Sequence, residues 1–567
     1  MIERRLLIRC DGGNIPEIGT GHVRRCLALA AELLLCPGTS LVFLMRPTPW
    51  LERVRDAGHT VLALDETDDL DEQLVQVARE CDVHVVFLDN LDQSVGAIPS
   101  LQAEGRIVIS MDDPSACPQA DISVAPAFPG RASTHVELDR TIFLDPLRAR
   151  SGGGACADIL ASFGGYDPGG LALKFLRAWC QRPSETSVLV ALGSECPDLT
   201  ALQEIAEDSE NVEVATEIDL VQALSQAELA ITNGGTTLFL AAALGTPSLC
   251  VAQYPHQTAN SRRVEVAGAT RYLGAAQDFD PLKLVDQARD LLADPSRREA
   301  MSFAGRVLFP GLGKRELAQT LSVVERLEWD SNFFGMEIAT LHPRRLTERI
   351  LLFAEKACRA VSIQCLYFLA DGSHEPTRVL AEQHGFRAVD DRLTYLRTTE
   401  DLPQAAPPPG VEIRTGLAAD GAQLAQIAGT SYGASRYFHD GRFPKERCEQ
   451  FYRDWIQKSL EGRFDDEVLV AVCEGQVAGY ISCRANTANL GSIGLVGLDA
   501  DFRARGIGSS LVQASLTWFE ERDIPRIEVV TQGRNVAAQK LYESCGFVLH
   551  RVEKWYHNWL DEDRNQA

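Results

Sequence analysis

A chain of 567 residues is too long for one hydrophobic core and predicts three or four domains. Its composition, 45% hydrophobic and 24% charged, is that of a soluble globular protein. A formal net charge of −24 excludes a general binder of nucleic acid or anionic membrane, while leaving room for local basic pockets that take phosphates. No apolar run reaches the roughly 18 residues of a membrane span, and the N-terminus MIERRLLIRCDGG enters a strand without a signal-peptide apolar region. No membrane insertion and a cytoplasmic location are therefore expected. The fifteen cysteines include no C-x-x-C pair and no zinc spacing, so they are expected to be reduced core thiols, with no metal.

Taken in chain order, Arg5–Cys10 reads as a buried strand, followed by a glycine-rich polar loop, Asp11 to Arg25, and the helix CLALAAELLL. Alternation continues through LVFLM, a helix near Trp50–Ala57, TVLAL, a helix near Asp71–Glu80, VHVVFLD and RIVISMDD. This is doubly wound α/β, and such sheets bind ligands at the C-terminal ends of their strands. A second α/β unit starts near Ile159 with ILASFGGYDPGG and runs to AELAITNGGTTLFLAAALGTPSLCVAQ. Its Asn233-Gly234-Gly235-Thr236-Thr237 segment lies between a strand and a helix. Free N–H groups and the positive end of the helix dipole make such a turn an anion cradle.

Two such units with a cleft between them make a GT-B-like pair of Rossmann-type domains, expected over 1–150 and 151–325. The motifs E-I-G-T-G-H-V-x-R-C-L-x-L-A (Glu17–Ala30), S-F-G-G-Y-D-P (Ser162–Pro168) and the GGTT loop resemble, in that order, the pseudaminic-acid-pathway UDP-sugar hydrolases, relatives of the MurG-type glycosyltransferases. The resemblance covers roughly residues 4–320 and implies release of a free sugar from UDP. His22, where the glycine loop meets a helix start, is the candidate base that takes a proton from the attacking water; the alternative is a histidine that only ties down the loop. Asp11 is a candidate for orienting a sugar or His22, or is structural. Gly21, Gly164, Asn233, Gly235, Thr236, Thr237 and Gln257 are expected to bind the nucleotide sugar. Two positions depart from the family: Leu240 replaces a glutamate that grips the ribose, and Asp89-Asn90-Leu91 stands where relatives have Asp-His-Tyr.

From Leu327 the texture changes. Leu327 to Gly335 (LEWDSNFFG) resembles the opening of the TDP-fucosamine acetyltransferases, and Val379 to Arg387, with His384-Gly385-Phe386, echoes a segment further on, Leu541–Val548. A degenerate GNAT-like domain is expected over 326–402, a proline-rich linker over 403–410, and a complete GNAT domain over 411–567. In the last of these the apolar run Leu495–Leu498 precedes Arg503-Ala-Arg-Gly506-Ile-Gly508 and the helix SSLVQASLTWFEER. Strand, glycine turn and helix N-terminus form a pyrophosphate cradle, and R-x-x-G-x-G resembles motif A of the GNAT acetyltransferases. Downstream, Asn535 to Phe547 (NVAAQKLYESCGF) resembles the family motif N-x-x-A-x-x-L-Y-x-x-x-G-F.

The resemblance implies acetyl-CoA as co-substrate, held by Leu498, Arg503, Arg505, Gly506, Ile507, Gly508, Ser509 and Asn535. It also implies that Tyr542 protonates the departing thiolate. Arg436 and His439, in the helical insertion where the family recognises its acceptor, are candidates for contacting the sugar, or belong to a packed aromatic loop. The expected function is bifunctional: N-acetylation of an amino-deoxy sugar nucleotide, then hydrolysis to free sugar and nucleoside diphosphate, in nonulosonate or surface-glycan biosynthesis. The alternatives are an acetyltransferase with a non-catalytic nucleotide-sugar-binding half, and an N-terminal glycosyltransferase. Expected partners are a nucleotide-linked amino sugar and acetyl-CoA, with no nucleic acid; a homodimer is compatible with all three readings.

Overall fold

The computed structural model describes residues 2–12, 21–90, 94–111, 118–124, 157–182, 184–216, 218–403 and 406–560. The motif residues Glu17, Gly19 and Thr20, and Leu91, lie outside them. The chain divides into two compact units, one spanning Arg4–Ala318 and the other beginning at Gln319.

The first unit holds two six-stranded sheets. Strands β1 (Arg4–Cys10), β2 (Thr39–Met45), β3 (Thr60–Ala63), β4 (Val85–Asp89), β5 (Ile107–Met111) and β6 (Ile122–Val124) are arranged β3-β2-β1-β4-β5-β6. Strands β7 (Ile159–Ser162), β8 (Val188–Ala191), β9 (Val212–Ala215), β10 (Leu229–Thr232), β11 (Ser248–Ala252) and β12 (Thr270–Ala275) are arranged β12-β11-β10-β7-β8-β9. All pairings are parallel. Central strands such as VVFLD and IVISM are buried at every position, as expected for sheets covered on both faces. Both sheets therefore have the doubly wound Rossmann order. Their switch points lie between β1 and β4 and between β7 and β10, where ligands bind beyond the strand ends. Asp11, Asp89, Gly164 and Asn233 all follow or end these four strands.

The second unit is built on one ten-stranded sheet. Its strands are β13 (Val324–Arg326), β14 (Ile338–Leu341), β15 (Cys365–Asp371), β16 (Arg387–Thr398), β17 (Val411–Thr415), β18 (Glu467–Cys473), β19 (Gln476–Ala485), β20 (Leu490–Leu498), β21 (Arg526–Gln532) and β22 (Val548–Trp559). The order is β13-β14-β15-β22-β16-β21-β20-β19-β18-β17. Its first eight strands read as a palindrome: in each half an antiparallel pair leads through a helix to a parallel strand, then through a second helix to a long last strand. Each long last strand inserts into the other half, β22 beside β15 and β16 beside β21. The two expected GNAT-like halves thus share a sheet by reciprocal strand exchange.

The duplication extends to side chains. β15 and β21, the helices Glu375–Gln383 and Val536–Ser544, and β16 and β22 all correspond at a constant offset of 161 positions, from 365 to 526, 375 to 536 and 387 to 548. Tyr395 Oη donates to Glu543 at 3.1 Å, and its counterpart Tyr556 Oη donates to Glu382 at 3.0 Å. Arg397 donates to the Cys545 carbonyl at 2.6 Å, and Asn558 to the His384 carbonyl at 3.0 Å. Gly385 and Gly546 both take φ +82°, the left-handed stop after a helix that only glycine adopts at no cost.

The helix Ile507–Glu520 covers one sheet face of the complete half through Ile507, Leu511, Val512, Leu516 and Phe519. Each such buried side chain contributes about 1.5–3 kcal/mol. The opposite face carries an aromatic core of Phe334, Tyr367, Tyr437, Phe443 and Phe451. Among the described residues no helix is long and apolar enough to cross a membrane, and no acidic, histidine or cysteine group has the arrangement of a metal site.

Candidate functional site

In the first unit His22 is the second residue of the helix Gly21–Leu33. Its Nδ1 lies 2.8 Å from Asp89 Oδ1, at the end of β4. Arg25, one turn further along the helix, donates from Nε to Asp89 Oδ2 at 2.6 Å and also pairs with Oδ1, and its Nη2 lies 3.0 Å from His22 Nδ1. Cys26 Sγ adds a contact of 3.3 Å to Oδ2. Asp89 is fully buried. Burial alone would raise its carboxyl, but the Arg25 guanidinium and His22 outweigh that and hold it well below the usual carboxylate range. Asp89 can accept a proton from Nδ1, and in that tautomer Nε2 is the basic nitrogen. The His22 side chain is 16% exposed.

Asp11 has a different occupation. Arg9 holds it bidentately, with 2.7 Å to each oxygen, and the Arg46 amide donates to it at 3.0 Å. Orientation of His22 thus comes from Asp89, which the sequence placed at the Asp of the family's Asp-His-Tyr segment without assigning it a role. A further sequence signal was its place as an acidic residue ending an otherwise apolar strand, at the end of the sheet where ligands bind.

At the second switch point, Gly164 takes φ +97°. Asn233 Nδ2 donates to the Phe163 carbonyl at 2.8 Å, while its Oδ1 accepts the Gly235 amide at 3.1 Å. Gln257 Oε1 accepts the Gln253 amide at 2.9 Å. A Cβ on Gly234 would clash with the Gln257 carbonyl and with Ser261, so the turn packs tightly on the helix Pro255–Val266. Gly235 caps the helix Thr236–Ala243, with Thr236 half-buried and Thr237 buried. Leu240 is 3% exposed and packs in an apolar cluster with Leu238 and Phe239, so it presents no polar group to a ligand.

In the second unit, β20 and β21 pair only from Leu490 with Arg526 to Ile493 with Val529. Beyond that, β20 stays with β19 as far as Leu498, and β21 stays with β16 as far as Gln532. The two strands therefore part, opening the sheet between Gly494–Leu498 and Val530–Gln532. Tyr432 spans this region: its hydroxyl donates to the Val496 carbonyl at 3.0 Å and lies 3.0 Å from the Tyr480 hydroxyl. At the end of β20 the chain turns through Ala504 (φ +60°) and Gly506 (φ +78°) into the helix Ile507–Glu520. Arg503, Arg505, Gly506 and Ser509 are exposed around its first turn, and Ile507 and Gly508 are buried beneath. Arg503 donates to the Leu498 carbonyl at 3.3 Å, and Arg505 lies over the Phe502 ring at 5.1 Å. Gly508 lets the helix approach Leu498 and Leu541, which a Cβ would meet at 3.3–3.5 Å.

Asn535 caps the helix Val536–Ser544 by accepting the Ala538 amide at 3.1 Å. This helix carries Tyr542, which is 4% exposed and near Tyr395 and Phe547. Burial pushes its phenol well up, so it stays protonated and able to donate. The other two candidates lie apart from this opening in character. Arg436 is half-buried among aromatics, 4.0 Å from the Trp555 ring and 4.2 Å from that of Tyr367, and donates to Tyr437 Oη at 2.9 Å. His439 is exposed.

A strand opening, a glycine cradle at a helix N-terminus and a protonated phenol are the parts of an acyl-CoA-dependent acyltransferase. Residues 434–547 match the acetyltransferase (GNAT) family, which uses acetyl-CoA, and the chain carries a GNAT acetyltransferase domain in its second unit. The chain is similar to dTDP-fucosamine acetyltransferase of Escherichia coli O6:H1 (strain CFT073), 27% identical over 236 residues that cover 41% of this chain and 96% of that protein. It is also similar to the spore coat polysaccharide biosynthesis protein SpsG of Bacillus subtilis (strain 168), 29% identical over 161 residues, 28% of this chain and 48% of that protein. Among solved structures it resembles MurG of Acinetobacter baumannii, with a TM-score of 0.43, 16% identity and coverage of 56% of this chain and 99% of that one.

Proposed function

We propose that the second unit acetylates the amine of an amino-deoxy sugar carried on a nucleoside diphosphate, and that the first unit then hydrolyses the sugar nucleotide. Acetyl-CoA fits with its pyrophosphate on the amides and arginines of the Arg503–Ser509 turn, and its thioester in the opening between β20 and β21. The sugar amine attacks the thioester carbonyl and loses a proton to water, the C–S bond breaks, and Tyr542 gives its proton to the departing thiolate. The observation that carries this half of the reading is the strand opening with Tyr542 buried beside it. The amino-sugar acceptor is supported by the likeness to dTDP-fucosamine acetyltransferase, which spans nearly all of that protein.

The hydrolytic half rests on the Asp89–His22 pair at a Rossmann switch point. His22 Nε2 takes a proton from water as the water attacks the anomeric carbon, and the Asn233–Thr237 turn holds the leaving diphosphate. With acetyl-CoA and a nucleotide-linked 4-amino sugar, the purified chain is expected to release CoA and then nucleoside diphosphate. Arg503→Glu removes the first product and His22→Ala mainly the second. Nucleotide release that His22→Ala leaves unchanged defeats the hydrolase assignment. A second reading makes the first unit a binding module. The apolar burial of Leu240, where a ribose-gripping carboxylate is missing, favours it. Nucleotide-sugar binding by calorimetry without turnover is its signature.

A further inference from the structure

The sheet of the second unit carries a concentration of positive charge that the acetyl-CoA site does not use. Residues paired directly across two strands share a face. Arg392 of β16 pairs with Glu553 of β22, and Thr394 pairs with Arg551. The alternating residues of β16, Leu393 and Tyr395, turn the other way and pack with Ile507 and Leu511. Arg392, Thr394, Arg551 and Glu553 therefore lie on the face opposite the helix that forms the CoA cradle.

On that face three guanidinium groups converge on one carboxylate. Arg392 Nη1 lies 2.6 Å from Glu553 Oε2, Arg551 Nε lies 3.4 Å from the same atom, and Arg344, from the loop after β14, pairs with Oε1. Glu553 is 1% exposed, while the arginine side chains are 26%, 40% and 36% exposed, in that order. Glu528 is a second carboxylate that acts on Arg392, and it is paired with Arg526 at 3.1 Å. Burial, followed by repulsion from Arg344 and Arg551, pushes the Arg392 guanidinium down to about 10. Beneath the cluster the Thr394 hydroxyl is fully buried and has no hydrogen-bond partner.

We propose that Arg344, Arg392 and Arg551 bind the diphosphate of the nucleotide-linked acceptor during acetyl transfer. This rests on the acetyltransferase reading above and names the part of the acceptor that the enzyme grips. A diphosphate suits a face on which three guanidiniums gather beside an unpartnered buried hydroxyl. Planar guanidinium forks engage phosphate oxygens in pairs, and the Thr394 hydroxyl adds a donor. The placement also suits the chemistry. Arg392 pairs with Gln532, the last residue of β21, which borders the opening. With neighbouring strands about 4.8 Å apart, the cluster lies on the order of 5–10 Å from that strand, comparable to the reach of a sugar from its amine to its anomeric phosphate. The phosphates of CoA have their own cradle at Gly506 on the other face, so a second anion site serves a second ligand.

Kinetics of the full chain test this. Arg551→Gln and Arg344→Gln, both half-buried, are expected to raise KM for the nucleotide-linked amine about ten-fold or more. KM for acetyl-CoA, and the rate on the corresponding free amino sugar, should not change. An unchanged KM for the nucleotide-linked amine overturns the proposal, and a raised KM for acetyl-CoA instead reassigns the cluster to CoA. If the wild-type chain acetylates no sugar amine, the acceptor reading fails on its own. Labelling with phenylglyoxal and peptide mapping then decides the anion site. Protection of the peptides containing Arg344, Arg392 and Arg551 by inorganic pyrophosphate supports it, and equal labelling with and without pyrophosphate overturns it.

Discussion

The two halves of the ten-stranded sheet fold alike and differ in what they can do. From the first strand pair to the second strand, the degenerate half runs from Ile338 to Cys365 and the complete half from Leu490 to Arg526, nine residues more (36 against 27). Both halves pair over four residues. The additional length carries β20 past β21 and builds the turn through Gly506, whereas in the degenerate half His342 to Thr347 leads directly to a helix capped by the Thr347 side chain. Arg344 and Arg345 in that loop are tied to Glu553 and Asp371. Among the described residues Arg503 and Arg505 form no ion pair with a carboxylate. At the offset of 161 Tyr542 corresponds to Ala381, which is fully buried. The shared scaffold thus carries the longer turn and the phenol in one half only.

Substitutions that move one half toward the other put numbers on this contrast. Tyr542→Phe removes the proton donor but keeps the ring. Acetyl transfer is expected to fall about 10²- to 10⁴-fold in kcat with little change in KM for acetyl-CoA, measured by CoA release. Gly506→Ala forces a Cβ into the left-handed region at the cradle. It should cost about 1–2 kcal/mol in denaturant unfolding and also raise KM for acetyl-CoA. The same change at Gly385, which has similar strain but lies in the half without a cradle, should cost comparable stability and leave KM unaltered.

Asp390 marks a further asymmetry, because its counterpart at the offset of 161 is Arg551. Burial, partly offset by Arg534, pushes the Asp390 carboxyl up to about 6. A carboxyl raised in the folded state stabilises fully below its unfolded value, and that stabilisation is lost as pH rises through the folded value. Relative to Asp390→Asn, the wild type should therefore lose on the order of 1–3 kcal/mol between about pH 4 and 6. Equal pH dependence of the two proteins in thermal unfolding contradicts this. The smallest expected effect is that of Asn535→Ala, which removes a helix cap at about 1 kcal/mol and should slow acetyl transfer only to the extent that Tyr542 shifts.

What could be read from the sequence was whatever is local. The Arg503–Ser509 turn, Asn535, Tyr542 and the left-handed Gly546 lie on short segments whose spacing carries their geometry. The Rossmann alternation was legible for the same reason, since apolar strands and glycine turns recur in order. The Asp89–His22 pair was not, because its partners are 67 residues apart and meet only through the order of β1 and β4. The arginine cluster on Glu553 was more remote still: Arg392 and Glu553 meet because β22 crosses into the other half, an exchange that sequence order does not encode. The echo at Val379–Arg387 pointed to a duplication, yet only the strand register showed how closely the halves correspond.

The central claim is that the complete half acetylates a sugar amine held on a nucleotide. Mass spectrometry of the full chain incubated with acetyl-CoA and a panel of nucleotide-linked amino sugars tests it most directly, with Tyr542→Phe run in parallel. The account predicts one N-acetyl group gained on a nucleotide-linked amino sugar, with the product strongly reduced in the variant. No acetylated sugar nucleotide from any member of the panel, or undiminished product from Tyr542→Phe, would contradict it.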